Sequence, residues 1–328
     1  MDKAESAPQV AVVVVTWNRR ELLAESLAAV LAQSRRPDQV FVIDNASTDG
    51  TAALVTADFP EAVLTTLPAN TGGAGGFAYG LALALAGGAD LVWLMDDDTI
   101  SEPDALAALL AARAAHPGRP PALVASRVVW TDGRPHPMNT PRARPLATKA
   151  EQAAAAAAGC VPIRSASFVS VLVDAEVSRQ RGLPQADYFL WNDDFEFTAR
   201  ILRGNPGLLC PASVVVHKTK TFGATDTNPG ERFFFEVRNK VWTLRSRAPL
   251  APVERGLYTG ATVRRWARTF ARSGGRRQLW TSLVRGLAAG VRTHPRPPGE
   301  VFDSLGIELP VIGRSQDLSQ GVPGRVSR

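Results

Sequence analysis

The sequence predicts an α/β fold built on a central sheet flanked by helices, and three features predict it. Runs of β-branched and aliphatic residues of strand length alternate with helical patterns through the first hundred residues. One of those runs, Leu91-Val-Trp-Leu-Met, ends abruptly in Asp96-Asp97-Asp98, and ligands of open α/β sheets gather outside the carboxyl ends of strands. Acids concentrate near Asp96 and Asp193, whereas Arg255 to Arg296 holds ten arginines and no acidic residue. That asymmetry separates an acid-bearing α/β part from a basic helical part.

Gln9 to Thr16 is a continuous β-branched run and reads as a buried parallel strand. Leu22, Leu23, Leu27, Val30 and Leu31 then recur at helical spacing up to Pro37. Val40 to Ile43 is the second strand, closing on Asp44-Asn45, and Ser47-Thr-Asp-Gly opens a short helix. Val63 to Leu67 is the third strand; Asn70-Thr-Gly-Gly-Ala-Gly-Gly leads as a loop into a helix from Phe77 to Leu85; Leu91 to Met95 is the fourth strand. Such alternation gives βαβ units with right-handed crossovers.

A helix is expected from Pro103 to about Ala115, a strand from Leu123 to Trp130, a Pro- and Arg-rich loop from Pro135 to Pro145, and an alanine-rich helix from Glu151 to Ala158. Ala166 to Val173 reads as one strand, and Tyr188 to Leu202 as an extended aromatic segment that becomes helical near Asp193. Leu208 to Val216 is a strand that delivers His217. A polar loop from Gly223 to Gly230 precedes a helix from Glu231 to Arg245, and two amphipathic helices split at Ser273-Gly-Gly follow from Pro252. The expected organisation is a catalytic domain over 1–250, basic helices over 251–293 and a poorly ordered tail over 294–328.

At 328 residues with 45% hydrophobic content, the chain can bury a large core. The longest apolar stretch, Phe77 to Met95, is broken by Gly80, Gly87, Gly88 and Asp90, so no membrane span is expected. The amino terminus has no apolar region of the kind that directs export. Cys160 and Cys210 lack metal or redox spacing, which suits a reducing cytoplasm.

Three adjacent carboxylates repel one another, so a positive partner is expected among them. Alternation sends Asp96 and Asp98 to one side and Asp97 to the other, and two hard oxygen donors suit Mg²⁺ or Mn²⁺. The competing reading is a solvated acidic turn ahead of a helix near Ser101. A dinucleotide-binding enzyme is a further rival, because Gly73-Ala-Gly75-Gly-Phe-Ala78 fits G-x-G-x-x-A. That fingerprint belongs at the first βα turn, which here reads Thr16-Trp-Asn-Arg-Arg without glycine. Asp193, Asp194 and Glu196 open a helix and could merely cap it, or could supply a proton acceptor. His217 ends a strand facing the same crevice and suits a metal ligand. The arginines after residue 255, interleaved with Trp266 and Trp280, fit a solvated helix face or an anionic membrane surface. The acidic crevice argues against nucleic acid.

Taken together, Val12-Val-Val-Val-Thr16-Trp-Asn18-Arg, Val42-Ile-Asp44-Asn45-Ala-Ser-Thr-Asp-Gly, Asn70-Thr-Gly-Gly, Met95-Asp96-Asp-Asp98, Trp191-Asn-Asp193-Asp194-x-Glu196 and His217 resemble the inverting family 2 glycosyltransferases of GT-A fold. The six motifs keep family order over residues 9 to 245. With Trp93-Leu-Met and Arg238-Asn239, the chain is most similar to actinobacterial galactofuranosyltransferases that initiate cell-wall galactan. The resemblance implies a GT-A fold, a Rossmann-like nucleotide-binding mixed sheet flanked by helices, followed by the arginine-rich helical region. It implies that Thr16 and Asp44 hold the nucleoside of a nucleotide-sugar donor, that Asn70 and Gly72 pack near it, and that Asp96 lies on the ribose or metal side. Asp98 and His217, with Asp96, would bind a divalent metal, Mn²⁺ or Mg²⁺. Asp194 would be the base, with Asp193 supporting it and Trp191 and Glu196 at the acceptor. Asn192 stands between Trp191 and the acids, which leaves the choice between Asp193 and Asp194 open.

The implied reaction is transfer of galactofuranose from UDP-galactofuranose to a hydroxyl of a lipid-linked glycan, with inversion at the anomeric carbon. The site would lie at the cytoplasmic face of the plasma membrane. A dTDP-rhamnose-dependent enzyme is the alternative within the family. A non-catalytic glycan-binding relative would be expected to lose acids that are all present here. A nucleotidyltransferase would need a basic, glycine-rich first loop.

Overall fold

The computed structural model describes residues 7–222 and 229–312; the polar loop expected from Gly223 and the far end of the expected tail fall largely outside them. The run of β-branched residues at Val10–Thr16 forms β1, buried along its whole length. Burial on both faces is what such a run favours. β1 pairs in parallel with β2 (Gln39–Asp44) and β4 (Leu91–Asp96), and β3 (Ala62–Thr66) extends the sheet beyond β2. Helices α1 (Arg20–Leu31), α2 (Thr51–Asp58) and α3 (Gly72–Ala86) make the crossovers. Along β1, Val10, Val12 and Val14 pack with Leu23, Leu27 and Val30 of α1, while Ala11, Val13 and Val15 face Phe77, Ala78 and Leu81 of α3. The period of two thus divides the core into two layers.

Beyond β4 the sheet becomes mixed, as expected for this fold class. β9 (Ser170–Asp174) runs antiparallel between β4 and β6 (Leu123–Val129), and β10 (Gly207–His217) pairs in parallel with β6. Two reversals across β9 restore the direction, so β1, β2, β4, β6 and β10 have their carboxyl ends on one edge. Thr16, Asp44, Asp96 and His217 are the last residues of four of those strands.

Several local expectations are corrected. The glycine run after Asn70 is helical: α3 begins at Gly72, five residues before Phe77. A Cβ on Gly76 would come within 2.4 Å of Val15, and one on Gly80 within 2.3 Å of Val13. These glycines bring the helix backbone onto the sheet, so close packing overrides low helix propensity. The glycines of the G-x-G-x-x-A pattern lie inside this helix: a Cβ on Gly73 would meet nothing within 4 Å and one on Gly75 would meet Thr71. The strand expected over Ala166 to Val173 begins only at Ser170, as β9; a further strand, β8 (Val161–Ser165), precedes it, and the chain between them is held where the Thr198 hydroxyl bonds both the amide and the carbonyl of Ala166. Directly after the acids comes β5 (Thr99–Ser101), antiparallel to the end of β10, and the helix expected from Pro103 starts later, as α4 (Ala105–Ala115). The Pro- and Arg-rich loop contains β7 (Arg142–Ala143), paired with β8.

The remaining helices are α5 (Lys149–Ala157), α6 (Ala175–Arg181), α7 (Asp193–Ile201), α8 (Phe233–Arg245), α9 (Pro252–Arg272), α10 (Arg276–Arg292) and α11 (Pro298–Asp303). α10 crosses α8 closely: a Cβ on Gly286 would come within 2.7 Å of Val237, and one on Gly290 within 2.7 Å of Val241. Among the described residues no helix is long and apolar enough to cross a membrane. Residues 294–312, expected to be poorly ordered, return to the main domain instead. Val301, Phe302 and Ile307 join the core layer beneath α3, and the ring of Phe302 meets Tyr79 edge-on at 5.7 Å. Three apolar anchors in a proline-rich segment outweigh its lack of regular pattern. Phe302→Ala should therefore destabilise the whole protein by about 3–5 kcal/mol in denaturant unfolding; an unchanged midpoint would show that this segment does not belong to the core.

Candidate active site

The acid triplet turns the chain at the end of β4. Thr16 Oγ1 donates to Asp97 Oδ2 at 2.8 Å, and Arg19, which leads into α1, places Nη1 3.0 Å from Asp97 Oδ1 and 2.6 Å from Asp98 Oδ2. Arg19 of the β1 loop thus reaches both Asp97 and Asp98, which form a turn beyond the end of β4, while the other Asp98 oxygen lies on the side of Asp96 and His217. Burial pushes the Asp96 carboxyl up to about 7, with Asp98 adding to the effect. It also pushes Asp97 up to about 6 against the attraction of Arg19. Burial acts on Asp98 in the same sense, but contacts with His217 and Arg19 outweigh it and hold this carboxyl low.

Asp96, Asp98 and His217 can each offer one ligand atom, and these atoms lie within 4.8 Å of one another. His217 Nε2 is 2.9 Å from Asp98 Oδ1, yet that oxygen is buried without a hydrogen bond. Two donor atoms that converge without being aligned on each other fit a shared cation better than a mutual hydrogen bond. Asn139 Oδ1 lies 2.9 Å from His217 Nδ1. With the Nδ1 proton given to the amide oxygen, the Nε2 lone pair is left to face the carboxylates, the outer-shell arrangement usual around a metal-binding histidine. The donor set of two carboxylates and one imidazole therefore suits a divalent ion.

On the opposite side of the crevice, residues Phe189, Trp191 and Asn192 have φ of 62°, 65° and 65°, conformations that cost of order 1–3 kcal/mol each in non-glycine residues. Asn192 precedes α7 and its Nδ2 donates to Glu236 Oε2 at 2.7 Å. Asp193 is buried, and burial together with Asp194 and Asp96 pushes its carboxyl well up. Asp194 is half-buried. Burial raises it too, opposed by the Phe195 amide, Lys240 and Arg142. Lys240 is itself buried, which lowers its amine to about 7, and its Nζ sits 4.2 Å from the Phe195 ring centroid.

Other expected residues have well-defined partners. Asp44 is fully buried, paired in register with Thr16, and accepts from the Ser47 amide at 3.0 Å. Asn70 Oδ1 accepts from the Gly72 amide at 2.7 Å. Gly72 has φ of 70°, and a Cβ there would lie 2.0 Å from the Phe189 carbonyl oxygen. Gly72 is required by the segment that precedes the acid pair, a reason distinct from the expected proximity to a nucleotide. Glu196, expected at the acceptor, is turned away. Its two oxygens engage Arg200 Nε and Nη2 at 2.8 and 2.9 Å in a buried bidentate pair, and Arg200 also bonds the carbonyls of residues 181–183. One helical turn separates the two residues, the spacing that favours such pairing. Asn139 and Arg142 were hidden in a segment read as loop. No local pattern marks them, because long-range pairing of β7 with β8 and the proximity of His136 to His217, 5.0 Å between ring centroids, bring that segment to the site.

Comparison with known proteins agrees with this arrangement. The family model described as Glycosyl transferase family 2 matches residues 11–168. Galactofuranosyltransferase GlfT1 of Mycolicibacterium smegmatis is 32% identical over 220 residues, covering 65% of this chain and 72% of that protein. GlfT1 of Mycobacterium tuberculosis H37Rv is 32% identical over 251 residues, covering 71% and 81% respectively. Residues 1–349 of S. aureus TarS superpose with a TM-score of 0.58 at 16% identity, covering 90% of this chain and 83% of that one. The mannosyltransferase PcManGT of Pyrobaculum calidifontis, solved with GDP-Man and Mn²⁺, gives 0.52 at 19% identity, covering 92% and 80%. These likenesses establish a GT-A fold. If Asn139 orients His217, Asn139→Ala should weaken Mn²⁺ binding about 10- to 100-fold in calorimetric titration, and Asp98→Ala should abolish it. Unchanged affinity in the first variant would remove Asn139 from the site.

Proposed function

The chain belongs to glycosyltransferase family 2, and on that premise we propose that it transfers galactofuranose from UDP-galactofuranose to a hydroxyl of a polyprenyl-diphosphate-linked glycan in cell-wall synthesis. The observation that carries the reaction type is the proximity of two acid groups: Asp96, Asp98 and His217 at the strand ends, and Asp193 with Asp194 at the start of α7, where the Asp193 carboxyl feels the charge of Asp96. The galactofuranosyl assignment rests on the GlfT1 relatives, whose length this chain largely spans.

Thr16 and Asp44, adjacent at the ends of β1 and β2, are our candidates for holding the nucleoside, with Asn70 and Gly72 behind them. Asp96, Asp98 and His217 would hold a divalent ion, Mn²⁺ or Mg²⁺, which supplies positive charge to a leaving diphosphate. Asp194 takes the proton of the acceptor hydroxyl. Its partial exposure gives the acceptor access, and its raised affinity for protons suits a base. Asp193, between Asp194 and Asp96 in its electrostatic surroundings, supports it, and Trp191 lines the acceptor side. The attacking oxygen approaches from the face opposite the diphosphate, so configuration inverts.

The acceptor is lipid-borne in this proposal, and α10 offers a surface for its membrane. Trp280, Val284, Leu287 and Val291 form an exposed stripe at helical spacing, flanked by Arg276, Arg277, Arg285 and Arg292. A peripheral site on the cytoplasmic face of the plasma membrane follows.

Purified protein incubated with Mn²⁺, UDP-galactofuranose and a synthetic prenyl-diphosphate-linked acceptor should give an inverted product, and Asp194→Asn should lower kcat by about 100-fold or more. Preference for dTDP-rhamnose would change the donor and keep the mechanism; metal-independent NAD binding would overturn both. Because the Asp194 carboxyl is raised and must be ionised to act, kcat should fall as pH drops, beginning above the ordinary carboxylate range; activity flat down to that range would exclude Asp194 as the base. Trp280→Asp with Val284→Asp should abolish sedimentation with phosphatidylglycerol vesicles and leave transfer to a short soluble acceptor unchanged.

A further inference from the structure

The segment that leads into the acid pair is held in an unusual backbone conformation. Phe189 has φ 62° and ψ −58°, and the Leu190 amide bonds the Tyr188 carbonyl at 2.6 Å, the geometry of the rare, strained form of γ-turn. Trp191 and Asn192 follow in the left-handed region. A run of this kind persists only when its surroundings determine it from several sides.

Two elements grip it. On one side the Phe189 carbonyl enters the start of α3, where the Ala74 amide reaches it at 3.3 Å and the absence of a side chain on Gly72 makes the room. On the other side stands Asn239 of α8, fully buried. Its Nδ2 donates to the carbonyls of Tyr188, Leu190 and Trp191 at 2.9, 2.8 and 2.8 Å, and its Oδ1 accepts from Arg238 Nε at 2.9 Å. Arg238 Nη2 adds bonds to the carbonyls of Asp187 and Tyr188 at 2.8 and 3.1 Å. Every polar atom of the Asn239 side chain is thereby spent on backbone or on Arg238. Both Nδ2 protons are thus committed to the turn, and the Leu190 and Trp191 carbonyls depend on Asn239 as their side-chain donor, whereas the Tyr188 carbonyl is also reached by the Leu190 amide and Arg238.

We propose that Asn239 is a positioning residue for the glycosyl transfer: by fastening the strained turn Tyr188–Asn192 it fixes the direction in which Asp193 and Asp194 leave the start of α7. This inference rests on the reading of that acid pair as the proton-accepting side of the crevice. Nothing else in the described residues bonds three successive parts of the turn at once, and displacement of a reacting group by about 1 Å is enough to cost two orders of magnitude in rate.

The test compares wild type with Asn239→Ala in the UDP-galactofuranose transfer assay, together with binding of UDP in the presence of Mn²⁺. The expected result is a fall in kcat of about 100-fold with KM for the donor and UDP affinity within about twofold, and an acid limb of the kcat–pH profile displaced from that of wild type. Phe189→Gly removes the steric objection to the turn, so combined with Asn239→Ala it should recover about tenfold of the lost kcat. Asn239→Ser, which keeps one small donor, serves if the alanine variant does not fold. Full kcat, a parallel loss of UDP affinity, or no recovery with glycine overturns the proposal. Asp194→Asn is assayed alongside: if it stays active the assignment of the base fails, whereas an inactive Asp194→Asn with a fully active Asn239→Ala overturns the present inference alone.

Discussion

Five carboxylates, those of Asp96, Asp97, Asp98, Asp193 and Asp194, stand around one end of a single sheet, and their mutual repulsion is the constraint on which the rest of the site depends. Burying anions together is unfavourable unless positive charge is brought to them. The chain supplies it unevenly. Arg19 bridges Asp97 and Asp98, and Lys240 and Arg142 approach Asp194. Asp96 and Asp193 are left with the strongest push toward protonation. A crevice in that electrostatic condition has affinity for cations and for protons, which are what a diphosphate leaving group and an acceptor hydroxyl respectively bring into play.

Holding such groups in place demands rigidity from the elements around them. Glu236 of α8 receives Asn192 on one side and Arg265 and Trp266 of α9 on the other. Arg164 of β8, almost wholly buried, joins the Ala199 carbonyl of α7 to the Pro249 carbonyl and Glu254 at the start of α9. Arg296 pairs with Asp187, just ahead of the strained turn. The basic helices are thus bonded to both flanks of the acid pair, and burial of Phe302 closes the chain back beneath α3. Removing Glu254 would leave the buried Arg164 charge without its carboxylate, a costly loss of one partner.

The parts of this architecture legible in the sequence are those written in local pattern. β-branched runs marked β1, β2 and β4, and the acids after Met95, the acid pair at Asp193 and the histidine after β10 each announced themselves by position at an element's end. What was not legible depends on partners distant in the chain. Gly72 to Gly76 look like a loop until Val15 and the Phe189 carbonyl are known to lie against them. Glu196 resembles the acids beside it, and only the reach of Arg200 around one helical turn separates its task from theirs. Asn139 sits in a stretch without periodicity, and its value derives wholly from His217, far along the chain. Phe302 is one aromatic in a proline-rich segment, and nothing local says that a cavity beside Tyr79 waits for it.

The same logic explains the inverted pattern of α10. Helices usually bury their bulky apolar residues and expose small or polar ones. Leu279 in the first turn is buried in the usual way, against Phe233 and Val237, but beyond it Ser282, Gly286 and Gly290 are buried while Val284 and Val291, with Trp280, stand in solvent. The cause is the closeness of α8: with Cβ positions at Gly286 and Gly290 only 2.7 Å from Val237 and Val241, a larger residue on that face would force the helices apart. Separation would move α8, and α8 carries Asn239, Glu236 and Lys240. Tight packing at the back of α8 therefore preserves the geometry at its front, and Trp280, Val284 and Val291 are free to face outward because Leu279 and the small residues already satisfy the interface with α8.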